Sequence, residues 1–250
     1  TPAQQEACAD CVQIPWALSG IAVAYNAPGA PVHLNLDGAT ISKIFLGQIT
    51  NWGDPAIKAL NKGANMPDLR ITPIFRSDGS GSSYALTDYL SSVNGDWKNR
   101  VGVSTQPAFP AGQGARGSSG VAGLISRTPG AIGYVDVAYA VANHIKFAAV
   151  RNRAGKFLYP SLRRIAAAAE AFPKVPANNE LHIVDPPKSA KLAYPVSTYT
   201  YVIVRKQSPH AAELRKLIFW ALTQGQKSQF TNRLTFAPMS TVKKVLVAAE

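Results

Sequence analysis

The stretch ITPIFRSDGSGSSYALTDYL, residues 71–90, joins three kinds of sequence. Residues 71–75 are apolar except Thr72 and predict a buried strand, and residues 76–83 are polar and rich in glycine and serine, which is typical of a turn. From Tyr84 onward, apolar residues recur at helical spacing. A strand, a small-residue loop and a helix start bring backbone N–H groups together in front of the positive end of the helix. The stretch therefore predicts a candidate oxyanion site.

The side chains of this loop suit such a site. The guanidinium of Arg76 is a planar fork that matches a tetrahedral oxyanion, and Asp78 can hold it in place. Ser80, Ser82 and Ser83 add hydroxyl donors, and the glycines allow close approach of the main chain to a ligand. The loop lacks the Lys-Ser/Thr pair of a Walker loop and the glycine spacing of a dinucleotide fingerprint. An ordinary N-capped helix that binds nothing is the alternative interpretation.

Composition and charge narrow the class of protein. The chain has 250 residues, 46% of them hydrophobic, which is enough for a full core in one or two domains. No run of about 18 apolar residues occurs, so we expect no membrane span. The start has no signal-peptide pattern, as in a mature or trimmed exported protein. A surface with a net charge of +12 can attract nucleic acid, anionic lipid or small anions. The basic residues are dispersed and no recognition motif accompanies them, so we expect no nucleic-acid partner.

Two cysteines, Cys8 and Cys11, form the pattern Cys-Ala-Asp-Cys. They favour a local disulfide at the end of a first short helix, and a thioredoxin-type redox site is the alternative. Two cysteines and four scattered histidines do not make a structural zinc site, and no Ser-His-Asp arrangement is indicated. We therefore expect no metal, no cofactor and no catalytic residues.

A second glycine- and serine-rich loop occupies residues 112–120, before a predicted helix at 121–125. It can be another helix N-terminus facing a cleft, with Arg116 as a second cation, or a mobile surface loop. Long strands are predicted at 12–26, with an interruption at Ser19-Gly20, and at 199–204. Strands that alternate with helices predict a doubly wound α/β fold with parallel sheets. Further helices are predicted after a Thr40 cap and at 55–60, 137–143, 161–172, 210–230 and 241–249, and a surface connection is predicted at 178–192. The helix at 210–230 is expected to have a break near Gly225.

The sequence RSDGSGSSYALTDYL resembles the signature of the periplasmic phosphate-binding proteins that serve bacterial phosphate ABC importers. Segments that match the same family follow in the family's order at residues 12–26, 36–61, 97–102, 114–140 and 194–206. The similarity therefore extends over nearly the whole chain.

The resemblance implies a two-lobe fold of the type II periplasmic-binding-protein kind, with doubly wound sheets and hinge strands. Residues 1–26 would contribute part of lobe 1 with the first hinge strand, and residues 27–194 would form lobe 2. Residues 195–250 would supply the second hinge strand and the C-terminal part of lobe 1, which would remain incomplete. Closure on ligand would follow a hinge motion.

The function implied is that of a solute-binding protein without enzymatic activity, in the periplasm or at the cell surface. It would capture inorganic phosphate in the interlobe cleft, without metal, and deliver it to the membrane permease subunits of an ABC importer. The family's motif maps onto Arg76, Asp78, Ser80, Gly81 and Ser82 as the phosphate-binding residues.

One departure from the family lies at the front of the chain. The family has an upstream segment, absent from these 250 residues, with an aspartate that accepts the phosphate proton and so rejects sulfate. The chain is then a fragment, receives the segment as a separate piece, or has lost the full site. The first lobe would be incomplete, which predicts exposed apolar faces and self-association. A surface or signalling module without full phosphate binding is the alternative function, and an enzyme such as a phosphatase is the third class.

Overall fold

The computed structural model describes residues 6–176, 178–227 and 229–230. The predicted helix at 241–249 and the first five residues of the predicted N-terminal helix lie outside them. No helix in this part of the chain combines the length and apolar character needed to cross a membrane.

Nine strands occur in the described residues. They are β1 (Cys11–Asn26), β2 (Asn35–Leu36), β3 (Thr72–Arg76), β4 (Gln113–Ala115), β5 (Ala131–Asp136), β6 (Lys146–Phe147), β7 (Ala149–Arg151), β8 (Phe157–Leu158) and β9 (Ser197–Arg205).

Eight α-helices and one 3₁₀ helix lie between Gly38 and Gln226. The α-helices are α1 (Gly38–Phe45), α2 (Pro55–Leu60), α3 (Gly81–Val93), α4 (Gly95–Arg100), α5 (Gly117–Arg127), α6 (Val137–Ala142), α7 (Leu162–Glu170) and α8 (Ala211–Leu222), and the 3₁₀ helix is Gln224–Gln226.

Strand β1 is shared between two pairings. Its residues 11–20 pair antiparallel with β9, whereas residues 21–26 pair antiparallel with β5. The partner changes between Gly20 and Ile21, next to the Ser19-Gly20 pair at which the sequence predicted an interruption. Two long strands, β1 and β9, therefore run side by side beyond the main sheet. The disulfide between Cys8 and Cys11 stands at the entrance to β1.

The main sheet has the strand order β4-β3-β5-β1-β6. Strand β3 is parallel to both β4 and β5, and β1 is antiparallel to β5 and β6. The expectation of wholly parallel sheets is therefore wrong, because the long strand β1 enters the sheet in the opposite direction. The parallel part matters for function, since β3, β4 and β5 end at the same edge of the sheet.

Helices cover both faces of the main sheet, as a doubly wound fold requires. Alternate residues of β1 point to opposite sides: Val23 and Tyr25 join a core with α1 and α3, whereas Ala22 and Ala24 join a core with α5 and α6. The first core contains the fully buried Trp52 and Trp97. The second core continues beneath β9, α7 and α8.

Several helix ends differ from the sequence-based expectation. Helix α1 begins at Gly38, because the side chain of Asp37, rather than that of Thr40, caps it by accepting the N–H of Thr40 at 2.8 Å. Helix α3 begins three residues before Tyr84, and α5 begins at Gly117 rather than at residue 121. Small residues in the first turn carry no apolar periodicity, so the pattern alone places both starts too late.

Two other corrections concern the last third of the chain. Helix α8 ends at Leu222 instead of continuing to Phe230, and a 3₁₀ helix follows at Gln224–Gln226, where the sequence predicted a break near Gly225. The connection at 178–192 is not wholly on the surface, since Ile183 and Asp185 are buried in it. The carboxylate of Asp185 joins α3 to the β7–β8 hairpin, because it accepts hydrogen bonds from Ser92 and Arg153.

Candidate functional site

Two strands that end together position the site. Arg76, the last residue of β3, stands opposite Ala115, the last residue of β4. The pairing continues one step further, since the N–H of Ser77 donates to the carbonyl of Ala115 at 3.1 Å. The loops that follow β3 and β4 therefore run side by side, and each leads into a helix.

The loop after β3 is closed by an N-cap. The hydroxyl oxygen of Ser80 accepts the N–H groups of Ser82 at 3.1 Å and Ser83 at 3.4 Å. The N–H of Ser82 is thus engaged by the cap, while its hydroxyl and the hydroxyl proton of Ser80 can still be donated. Among the described residues, the N–H of Gly81 meets no protein acceptor. The first turn of α3 accordingly offers donors of the kind that bind anions at helix N-termini.

Arg76 is held as a fork by Asp78. Its Nε and Nη2 groups donate to the two carboxylate oxygens at 2.7 and 2.6 Å, and Nη1 donates to the hydroxyl of Ser118 at 3.2 Å. The Arg76 side chain is only 14% exposed. A guanidinium has five N–H donors, so two remain, one on each terminal nitrogen. The two terminal nitrogens of one guanidinium can together bind two oxygens of one oxyanion.

The charges of this pair stabilise each other. Hydrogen bonds from Arg76, and then from the backbone N–H of Gly117, hold the pKa of the Asp78 carboxyl well below its usual range. The same carboxylate raises the pKa of the Arg76 guanidinium. Asp78 therefore stays ionised at neutral pH and keeps the fork in one orientation.

The loop after β4 is the second glycine- and serine-rich segment, and it lies beside the first. Gly117 donates its N–H to Asp78 Oδ1 at 3.0 Å, and Ser118 receives the Arg76 fork. This favours the interpretation as a helix N-terminus over that of a mobile surface loop. Arg116, predicted as a second cation, is exposed. The close approach of β4 to β3 requires glycine at position 112, because its φ is +108° and a Cβ would lie 2.2 Å from the carbonyl oxygen of Pro73.

Tyr134 supports the site from beneath. Its hydroxyl accepts the backbone N–H of Arg76 at 3.2 Å and bonds with the hydroxyl of Ser83 at 2.7 Å. Both side chains are buried, and burial raises the pKa of the Tyr134 phenol. One phenol thus links β5, β3 and the start of α3.

The structure brings all five predicted residues to one edge of the sheet and adds three that the sequence did not indicate for the site, namely Gly117, Ser118 and Tyr134. Ser83, expected as a further hydroxyl donor, bonds instead with the buried hydroxyl of Tyr134. Gly117 and Ser118 belong to the glycine- and serine-rich loop at 112–120, for which a helix N-terminus facing a cleft was one of two interpretations. Tyr134 carried no signal beyond its place in an apolar strand.

Two further groups of chemically reactive side chains lie in the described residues, one around the two cysteines and one around His182. Only Cys8, Asp10 and Cys11 cluster as metal ligands there, and both cysteine sulfurs are consumed by their disulfide. The imidazole of His182 pairs with the carboxylate of Asp88.

Solved structures identify the fold. A high-affinity periplasmic phosphate-binding protein solved with phosphate aligns with 98% of this chain and 72% of its own, at 20% identity and a TM-score of 0.74. A putative phosphate ABC transporter substrate-binding protein from Clostridium perfringens aligns with 96% of this chain and 76% of its own, at 17% identity and a TM-score of 0.65. The fold is therefore the two-lobe, type II fold of periplasmic binding proteins.

Sequence comparison gives the family. The profile of the PBP superfamily domain matches residues 3–224, and the chain belongs to this superfamily. The phosphate-binding protein PstS of Xylella fastidiosa strain 9a5c is 35% identical over 231 residues, and that of Pasteurella multocida is 35% identical over 233. Both alignments cover 91% of this chain, which spans 63% of the Xylella protein's length and 67% of the Pasteurella protein's.

Proposed function

We propose that this chain belongs to a solute-binding protein that captures inorganic phosphate and delivers it to the permease subunits of an ABC importer. The phosphate-binding residues are Arg76, Asp78, Ser80, Gly81 and Ser82. The protein acts in the periplasm or at the cell surface, and it binds phosphate without converting it.

One observation carries the proposal. The Arg76 fork is locked by Asp78, two residues before the Ser80 cap of α3, and by Ser118, and it keeps two N–H groups without a partner among the described residues. Charge-assisted hydrogen bonds of this kind contribute about 1.5–3 kcal/mol each when water is excluded. The names of the PstS relatives and the phosphate in the aligned structures support the same ligand.

We propose the two lobes with the boundaries given by the sequence. Residues 27–194 form the lobe that carries Arg76, while residues 1–26 and 195–250 contribute to the other. The support is the change of partner in β1 at Gly20 and the antiparallel pairing of β1 with β9, because adjacent crossing strands are suited to a hinge.

The test is a calorimetric titration of the 250-residue chain with inorganic phosphate at pH 8, with sulfate as competitor. We expect saturable binding at one site. Arg76→Lys keeps the charge and removes the fork, so it should weaken phosphate binding about 10- to 100-fold. The matched control is Arg100→Lys, at a half-exposed arginine that pairs with Asp96 within one helix.

Three results would contradict the proposal. Equal phosphate affinity of Arg76→Lys and the unchanged chain would show that the Arg76 fork does not bind phosphate. Absence of phosphate binding would favour the alternative function, a surface or signalling module that has kept the lobe and lost full phosphate binding. Release of phosphate from an ester would favour an enzyme.

A further inference from the structure

Ser118 contacts the anion-binding fork although it lies 42 residues further along the chain. Its hydroxyl oxygen accepts the N–H of Arg76 Nη1 at 3.2 Å. Asp78 holds only Nε and Nη2, so Ser118 supplies the partner on the third nitrogen. With partners on all three nitrogens, the guanidinium cannot turn without breaking a hydrogen bond.

The neighbouring backbone fixes the carboxylate in the same way. Gly117 donates its N–H to Asp78 Oδ1 at 3.0 Å, on the oxygen that also accepts Arg76 Nε. Gly117 adopts a φ of +70°, a conformation that suits glycine. The start of α5 therefore contacts both members of the Arg–Asp pair.

We propose that Ser118 is a positioning residue for phosphate binding, which fixes the Arg76 fork from the loop after β4. This inference rests on the proposed function and deepens it, because it assigns the second glycine-rich loop to the same site. Ser118 acts through Arg76: its hydroxyl holds one Nη1 N–H so that the other points to the ligand. A free fork would have to be ordered at the moment of binding, at a cost in affinity.

The experiment compares the unchanged chain with Ser118→Ala, Ser118→Thr and Ser119→Ala. Ser119 is the matched control, since it is the exposed next residue of the same helical turn. Two quantities are measured. The first is the dissociation constant for inorganic phosphate. The second is the rotation rate of the Arg76 guanidinium, measured by NMR without phosphate and assigned through the signal lost in Arg76→Lys.

We expect Ser118→Ala to weaken phosphate binding about 2- to 10-fold, the value of one hydrogen bond, and to speed the guanidinium rotation by a similar factor. Ser118→Thr, which keeps the hydroxyl, should restore both quantities, and Ser119→Ala should change neither. Thermal melts of all variants would show whether a change in affinity follows a loss of folding.

The proposal is overturned if Ser118→Ala matches Ser119→Ala in affinity or in rotation rate. Weaker binding with unchanged rotation would mean that Ser118 acts on the anion without positioning Arg76. If the unchanged chain binds no phosphate, the proposed function fails, and the rotation rate alone decides: faster rotation in Ser118→Ala supports the positioning role, and an equal rate refutes it.

Discussion

Removal of the Tyr134 hydroxyl should lower the free energy of unfolding by more than the contribution of one hydrogen bond. In Tyr134→Phe, two groups lose their partner: the hydroxyl of Ser83, whose side chain is fully buried, and the backbone N–H of Arg76. An unsatisfied buried polar group costs about 1–3 kcal/mol. The Ser83 hydroxyl can turn toward a helix carbonyl, which offsets part of this cost. We expect the free energy of unfolding to fall by about 2–4 kcal/mol.

A double-mutant cycle isolates the contact. Ser83→Ala leaves the Tyr134 hydroxyl bonded to the Arg76 N–H, so it should cost about 1 kcal/mol. The double variant should then be more stable than the sum of the single effects implies, by about 1 kcal/mol, because the two side chains share one hydrogen bond. Tyr139→Phe is the control, at a tyrosine that is 42% exposed.

Urea unfolding followed by circular dichroism measures each free energy, provided that a second probe gives the same transition. Tm should fall by roughly 5–15 °C in Tyr134→Phe. A cost below about 1 kcal/mol, or a coupling below about 0.5 kcal/mol, would refute the view that Tyr134 ties β3 to α3.

Three further outcomes are expected. The hydrogen bond to Asp88 raises the pKa of His182. The pair therefore stabilises the fold fully below the ordinary histidine pKa of about 6.5, and this stabilisation is lost as pH rises through the raised pKa. His182→Gln should lower Tm in acid and leave it unchanged in base. Ser80→Ala should cost about 1 kcal/mol in unfolding experiments, whereas Ser80→Asp should keep the cap and weaken phosphate binding by charge repulsion. Gly112→Ala should destabilise the chain by several kcal/mol, because the added Cβ would overlap the carbonyl oxygen of Pro73. Gly63→Ala should cost about 1 kcal/mol, because Gly63 has open space around it. Similar costs at the two positions would contradict the steric explanation.

The central stretch could be predicted because its signals are local. The apolar run ending before Arg76 became β3, and Ser80 is a residue type that helix N-caps prefer. The helix start was placed at Tyr84 instead of Gly81 because Gly, Ser and Ser carry no apolar periodicity. Hydrogen bonding of the cap, rather than burial, decides where this helix begins.

The rest of the site depends on strand order, which no local pattern encodes. Tyr134 reaches Arg76 because β5 lies beside β3, and Ser118 reaches it because β4 lies on the other side. These partners are 58 and 42 residues from Arg76 along the chain. The antiparallel entry of β1 was missed for the same reason, since strand direction follows from the path of the chain between the strands.

The charge balance of the site indicates what these long-range contacts contribute. Asp78 remains ionised, because its pKa is held well below its usual range, so the Arg76–Asp78 pair is neutral overall. A bound anion would then meet no net positive charge in this pair. Attraction would come from the two remaining guanidinium N–H groups and from the N-terminal turns of α3 and α5, all of which depend on direction. Ser118 and Tyr134 fix that direction, Ser118 at the guanidinium and Tyr134 at the backbone of Arg76. Affinity at this edge of the sheet would therefore be set by the rigidity of the fork more than by the net charge of +12, whose field steers the approach of the ligand.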